Sequence, residues 1–422
     1  MMLNVIRNVS IIIIILNEKS EGKEMNFSKV LKGGMVAAMA MSLVACSSSS
    51  TAGSTASSSS SDGAFKLGGS GPITGDAAVY GLAVQHGAQI AVDEINAEGK
   101  VKLEFKFEDD EADGEKAVTA YNTLADWGMQ VSLATTTSGA GQTVSPYYQQ
   151  DGIFAITPSG SSPAVIYSDS DNETGAYGNV FQMCFSDPNQ GVASADYISE
   201  HTDLGTKVGI IYRNDDSYST GIYKKFKAEA DEVGLKVVAE AAFQDGTTDF
   251  STAVKACKDA GADIVFLPIY YQPASQILVE ANKEGYTPSF FGCDGMDGIL
   301  SLEGFDTDLA EGLYMLTPFS ADAEDEKTQN FVKAYEEAYG ETPIQFAADA
   351  YDCVYAIAQA LENSGVSASD STADITDALV KEFTSMTFDG ITGTSVTWNE
   401  NGEVSKAPKA IVIQDGTYVS AE

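Results

Sequence analysis

The chain has 422 residues, of which 61 are Asp or Glu and 24 are Lys or Arg, giving a formal net charge of −37 at pH 7. Phosphate backbones repel a surface that acidic, which excludes nucleic acid as an expected partner. Two histidines and five cysteines, none in a CxxC pair, give little support to a zinc site or a disulfide scaffold; no metal and no cofactor are expected.

Residues 1–24 combine a very short apolar run, Val9–Leu16, with the charged stretch Glu18–Glu24. They read as an upstream gene-model extension, with Met25 the true start. From Met25, Lys29 and Lys32 precede the uncharged run Met35–Ala45. That run is too short to span a bilayer, which takes about 20 apolar residues, and has the pattern of a secretory signal. Leu43-Val44-Ala45-Cys46 resembles a bacterial lipobox, so residues 25–45 are expected to be a lipoprotein signal peptide and Cys46 the lipidated residue. The alternative is an ordinary signal peptide with an incidental cysteine. Ser47–Ser61 is almost all serine, a composition that buries nothing and behaves as a flexible tether. Residues 46–63 are therefore read as a lipid anchor and leash, with at least two acyl chains holding the protein at a membrane.

Roughly 360 residues follow, too many for one core and natural for two domains. Strand patterns fall at Phe65–Gly69, Leu103–Glu108, Val131–Ala134, Ile153–Thr157, Val208–Tyr212, Val237–Ala241, Ile264–Pro268 and Ser289–Gly292. Helical patterns lie between them at Val79–Ala97, Glu115–Trp127, Pro188–His201, Gly221–Val233, Phe250–Ala260 and Pro273–Glu284. Such alternation predicts an α/β fold of parallel sheets with helices on both faces. It runs through twice, ending near Phe181 and again near Leu316. Helices at Glu324–Tyr339, Phe346–Asn363 and Thr372–Phe383 come next, then a strand pair, Ser395–Trp398 and Ala410–Gln414, around Asn401-Gly402. The predicted lobes are 64–184 with 320–390, and 185–319 with 391–422. Their hinge has three crossover segments, near Met183–Ser186, Thr317–Ser320 and Gly390–Thr394. Cys184, Cys257, Cys293 and Cys353 are read mostly as buried free thiols.

The loop after the first strand, Gly68–Gly81, is rich in glycine, but Thr74 stands where a dinucleotide fingerprint needs its third glycine and Pro72 stiffens the turn. GPITGDAAVYG followed by DEINAEG resembles instead the first loop and helix of type I periplasmic binding proteins of the leucine/isoleucine/valine-binding family. Four further segments resemble that family in order: TTTSGAGQTVSPYYQQDGIFAITPSGSSP, YRNDDSYSTG, IYYQPASQILVEANKEGYTPSFFGCDGMDG and FAADAYDCVYAIAQAL. The likeness covers everything after the tether.

The resemblance implies a type I periplasmic binding fold and an extracytoplasmic receptor of an ABC importer that closes like a Venus flytrap on an amino acid. Its partners would be a permease with ATPase subunits, and it would work as a monomer on the outer face of the cytoplasmic membrane. A zwitterion losing its water costs several kcal/mol per ion unless both charges are met. By motif position, Ser138, Ser161 and backbone N–H groups across Ser159, Gly160 and Ser161 would meet the carboxylate. Asp294 would meet the ammonium, aided by Tyr270, while Tyr80, Tyr218 and Phe346 wall the side chain. Each has a plainer alternative: the serines could satisfy turns, Asp294 could cap a helix, and the tyrosines could be packing aromatics. Thr137 stands where some branched-chain receptors carry a bridging cysteine, so that bridge is not expected. Asp294 replaces a longer glutamate of some members, which leaves leucine, isoleucine, valine, alanine, an aromatic amino acid or a small amide open.

No HExxH, P-loop or nucleophile elbow is present, and His86 and His201 read as surface or packing residues, so an enzyme is not expected. Asp169–Glu173 lacks the glycine of a calcium loop and reads as a solvated acidic loop. The same fold also serves as a ligand-sensing module, the alternative to a transport receptor.

Overall fold

The computed structural model describes residues 63–171 and 173–421. The signal-like segment, Cys46 and the serine tether lie outside the described residues. Elements alternate from the start: β1 (Phe65–Gly71), α1 (Ala78–Glu98), β2 (Leu103–Asp109), α2 (Gly114–Trp127), β3 (Val131–Thr135), α3 (Ser138–Asp151) and β4 (Phe154–Thr157). A small antiparallel hairpin of β5 (Tyr167–Asp169) and β6 (Thr174–Ala176) precedes β7 (Val180–Gln182). These form a five-stranded sheet of order β2-β1-β3-β4-β7, parallel throughout. Every residue of β3 and β4 is buried, as helices on both faces of a parallel sheet require.

A second alternation comprises α4 (Asp187–Glu200), β8 (Lys207–Arg213), α5 (Ser217–Val233), β9 (Lys236–Phe243), α6 (Ser251–Asp259), β10 (Ile264–Leu267), α7 (Tyr271–Lys283), β11 (Ser289–Gly292) and β12 (Tyr314–Thr317). The chain then returns to the first sheet with α8 (Glu326–Tyr339), α9 (Gln345–Ser364) and α10 (Thr372–Phe383). It ends in the second with β13 (Lys409–Gln414) and β14 (Thr417–Ser420). The second sheet has order β14-β13-β12-β11-β10-β8-β9, with the β12–β13 and β13–β14 pairings antiparallel and the rest parallel.

Local chemistry sets the boundaries. Asp113, Asp216, Asp325 and Ser371 accept backbone N–H bonds as N-caps. Close helix crossings rest on missing side chains. A Cβ at Gly87 of α1 would lie 2.0 Å from the Ala347 carbonyl oxygen of α9, and one at Gly191 of α4 would lie 2.6 Å from that of Ile222 in α5.

Three features depart from the sequence reading. Ser138–Asp151, which none of the predicted helices covers, is a 14-residue helix with Pro146 inside it. Ser395–Trp398 forms no strand with Ala410–Gln414. It makes only isolated bridges, Phe388 to Val396 and Trp398 to Val404, and β13 pairs with β12 and β14 instead. The segment around it also stays with the first sheet: Gln182 N–H donates to the Gly402 carbonyl at 2.9 Å, and Trp398 Nε1 donates to Gln182 O at 2.7 Å. The third passage between sheets therefore lies after Val404 rather than at Gly390–Thr394. Lys406 anchors that passage through a fully buried ion pair with Asp349, 2.8 Å long. Asp169 and Glu173 flank the β5–β6 turn. His86 stacks on Tyr339 and His201 on Tyr197, and all four cysteines of the described residues are free and buried.

Candidate ligand-binding site

In open parallel sheets ligands sit beyond the carboxyl ends of the strands. Here the ends of β3 and β4 in one sheet face those of β10 and β11 in the other across a small pocket. Tyr80, Thr136, Thr137, Ser138, Ser159 and Phe346 line it from the first half. Tyr218, Tyr270, Asp294 and Gly295 line it from the second.

The first wall begins with a bulge. The β1–β3 register slips between Gly68 and Ser70, and Ala134 takes a positive φ of 49°. Bulges re-aim the residues that follow, and this one brings Thr136 and Thr137 to the cleft. The Thr136 amide and hydroxyl both donate to the Ser70 carbonyl, at 3.0 and 3.1 Å. Thr137 is the N-cap of α3, yet no side chain caps that helix, and the buried Thr137 hydroxyl has no partner. The Ser138 hydroxyl accepts from the Ser162 amide at 3.1 Å, which leaves its proton to donate. Free N–H groups at a helix start, with unspent hydroxyls beside them, form an anion site. Ser159 also lines the pocket, with its hydroxyl committed to the Thr136 carbonyl at 2.6 Å.

Gly160 and Ser161 sit behind this wall rather than on it. The Gly160 amide donates to Thr157 Oγ1 at 2.7 Å. Ser161 is fully buried, its carbonyl accepting from the Asp187 amide at 3.0 Å. Thr136 and Thr137 supply the lining that sequence reasoning assigned to those two; a run of three threonines at a strand end was the signal available.

The opposite wall centres on Asp294, the first residue of a short 3₁₀ turn after β11, where it caps nothing. Tyr218 donates to its Oδ1 at 2.7 Å and Gln190 Nε2 to its Oδ2 at 2.8 Å. Burial pushes the carboxyl up to about 7, only partly offset by those two donors. Gln190, on α4, was not foreseen from sequence. The Asp187 carboxyl, one turn earlier on α4, is also wholly buried. Burial drives it well above the usual range, and Ser161 and Ser162 are near enough only to temper that push.

Aromatic rings close the pocket. Tyr80 stacks on Phe346 with centroids 4.2 Å apart and meets Tyr270 edge-on at 5.2 Å; Tyr270 in turn leans on Tyr218 at 5.2 Å. The Tyr80 hydroxyl donates across the cleft to the Gly295 carbonyl. The arrangement offers hydrogen-bond donors at one end, a carboxyl at the other and aromatic walls between.

Comparison with known proteins gives the same architecture. The Periplasmic binding protein family model matches residues 64–416. The leucine-, isoleucine-, valine-, threonine- and alanine-binding protein of Pseudomonas aeruginosa is 26% identical over 303 residues, covering 71% of this chain and 78% of that protein. Leu/Ile/Val-binding protein homolog 1 of Brucella abortus is 27% identical over 300 residues, 70% of this chain and 77% of its own. The crystal structure of the branched-chain amino acid transporter substrate binding protein LivJ from Streptococcus pneumoniae, in complex with isoleucine, superposes with a TM-score of 0.75. It is 27% identical and covers 85% of this chain and 99% of its own. On fold alone, a solute-binding protein of R. palustris in complex with benzoate is also similar, with a TM-score of 0.74, 19% identity and coverage of 85% and 96%. With its two sheets, its cleft and a family match over nearly all of the described residues, this chain belongs to the periplasmic binding protein family.

Proposed function

We propose that the protein is the extracytoplasmic, lipid-anchored substrate-binding subunit of an ABC importer, capturing a branched-chain or other aliphatic amino acid by lobe closure and delivering it to a permease. The observation that carries this reading is the polarity of the cleft. The unpartnered Thr137 hydroxyl and the uncapped α3 start suit a carboxylate, and buried Asp294 suits an ammonium. Relatives that cover the same span are named for leucine, isoleucine and valine. Carboxylate contacts fall to Thr137, Ser138 and the α3 amides, beside Ser159 on the same wall, with Gly160 and Ser161 shaping the loop behind; Asp294 and Tyr270 take the ammonium; Tyr80, Tyr218 and Phe346 wall the side chain.

The lobes are then 64–184 with 320–405, and 185–319 with 406–421, the segment before Lys406 staying with β7. Closure acts by differential affinity: ligand held on the first wall is contacted by Tyr218, Tyr270 and Asp294 only when the halves meet. Cys46 provides the anchor and the serine tether the reach. A thermal-shift screen of the mature protein against all amino acids and small amides tests the ligand class, because binding stabilises by RT ln(1 + [L]/Kd). An aliphatic amino acid should give the largest shift. A response to none of them, or to amides alone, would overturn the reading.

A further inference from the structure

Among the helices that reach the cleft, α1, α7 and α9, like α3 and α4, lack a side-chain cap from their own N-cap residue. Of these, α1 and α9 pack together against the first sheet, and each receives a bond from the other half. The Tyr271 hydroxyl, on α7, accepts from the Val79 amide of α1 at 3.4 Å. Asp297, in the loop after β11, accepts the Gln345 amide of α9 on its Oδ2 at 2.9 Å. Gln345 answers with its side chain, Nε2 donating to the Asp294 carbonyl at 2.8 Å. Gly298 completes the contact: its φ is 102°, and a Cβ there would lie 2.8 Å from Val79 Cγ1. The loop Asp294–Gly298 thus seats on the starts of α1 and α9.

We propose that Asp297 and Gln345 form a latch between the halves, in which a carboxylate of one half caps a helix of the other and so favours the closed arrangement whatever side chain the ligand carries. A helix start left without a cap exposes unsatisfied N–H groups, and Asp is among the strongest caps. Here the cap exists only while the halves meet. Asp297 and Gln345 do not line the ligand pocket, so the latch sets overall affinity while the lining sets selectivity. The proposal rests on the reading that the halves open and close on a ligand.

The test compares wild type with Asp297→Ala, Asp297→Asn, Gln345→Ala, Gln345→Pro and the Asp297→Ala/Gln345→Pro pair. Gln345→Pro deletes the donated N–H at the one helical position where proline is favoured, and Ile344 before it, at φ −93° and ψ 169°, already has the conformation a proline requires of its neighbour. Gln345→Ala separates the loss of the side-chain bond. Amide hydrogen exchange without ligand reads the latch directly. Protection of the Gln345 amide should fall roughly threefold to thirtyfold in Asp297→Ala and be largely kept in Asp297→Asn, whose amide oxygen still accepts. Calorimetry with leucine, isoleucine and valine should show one common loss of that size in Asp297→Ala, and no further loss from Asp297→Ala on the Gln345→Pro background. Equal exchange of the Gln345 amide in wild type and Asp297→Ala overturns the latch, as do fully additive losses in the pair. A wild type that binds no amino acid overturns the functional reading alone, and the exchange result still decides the latch.

Discussion

Replacing Asp294 with asparagine should separate binding from stability in opposite directions. The carboxyl is buried, and its pKa, raised to about 7 by desolvation, records that burying the ion without a cation beside it is unfavourable. Each pKa unit corresponds to about 1.4 kcal/mol, so the neutral amide relieves the empty site near and above pH 7. It keeps an oxygen to accept from Tyr218, while its new N–H₂ faces Gln190. The Gln190 amide can turn to present oxygen only by giving up the 3.3 Å bond its Oε1 takes from the Asp294 backbone amide, a smaller loss than the burial of the ion. Thermal stability of the empty protein should therefore hold or rise. With an amino acid in the cleft, the ammonium loses its only buried counter-charge on the pocket wall. Stranding a buried charge costs about 2–5 kcal/mol, a Kd weaker by a factor from about 30 to several thousand. Calorimetry and thermal unfolding on one preparation read both quantities. Wild-type affinity in Asp294→Asn, or collapse of the empty fold, would refute the reasoning.

Thr137→Val removes a buried hydroxyl that has no hydrogen-bond partner within the protein. It should weaken amino-acid binding by about 1.5–3 kcal/mol, the worth of a hydrogen bond to a charged group, and leave the melting temperature unchanged or higher. Ser138→Ala should cost binding and stability together, because its hydroxyl also accepts from the Ser162 amide. Acidification should act oppositely on the empty and loaded forms. Folded Asp294 holds its proton more tightly than the unfolded chain does, from an ordinary 3.8 up to about 7. Its contribution to stability is full below about 4 and is lost as the pH rises through about 7. Ligand requires the ionised form, so Kd should rise about tenfold per pH unit below 7, and Asp294→Asn should abolish that slope. A thiol reagent should modify none of Cys184, Cys257, Cys293 and Cys353 before unfolding, since all four are buried; rapid labelling of the native protein would contradict the packing described.

The sequence carried the repeated α/β alternation because period and composition there agree. Strands such as Val208–Tyr212 and Ile264–Leu267 are continuous apolar runs, and Asp216 or Asp325 marks a helix start. It concealed α3 because Gly139, Gly141, Thr143, Ser145 and Pro146 all disfavour helix, and packing of Ala140, Val144 and Tyr148 overrides them. Ser395–Trp398 alternates like a strand, but Trp398 is drawn to Phe383 and to the Gln182 carbonyl, a tertiary preference that periodicity does not encode. In the site, motif order led to Asp294, Tyr80, Tyr218, Tyr270, Phe346, Ser138 and Ser159 as pocket residues. Gly160 and Ser161 stand outside the lining: the Gly160 amide is spent on Thr157 Oγ1 and the Ser161 carbonyl on the Asp187 amide, while the buried Ser161 hydroxyl has no partner. Gln190 and Asp297 were illegible, as each gains its role only from a partner more than 45 residues away, at Asp294 and Gln345 respectively.

The account stands on the cleft recognising two opposite charges on one small molecule. Calorimetry with leucine and two truncated analogues, 3-methylbutylamine lacking the carboxylate and 4-methylpentanoate lacking the ammonium, measures that most directly. Leucine should bind, and each analogue should bind at least a hundredfold more weakly, about 2.7 kcal/mol. A 4-methylpentanoate that binds as tightly as leucine would show that Asp294 answers no ammonium and would contradict the assignment.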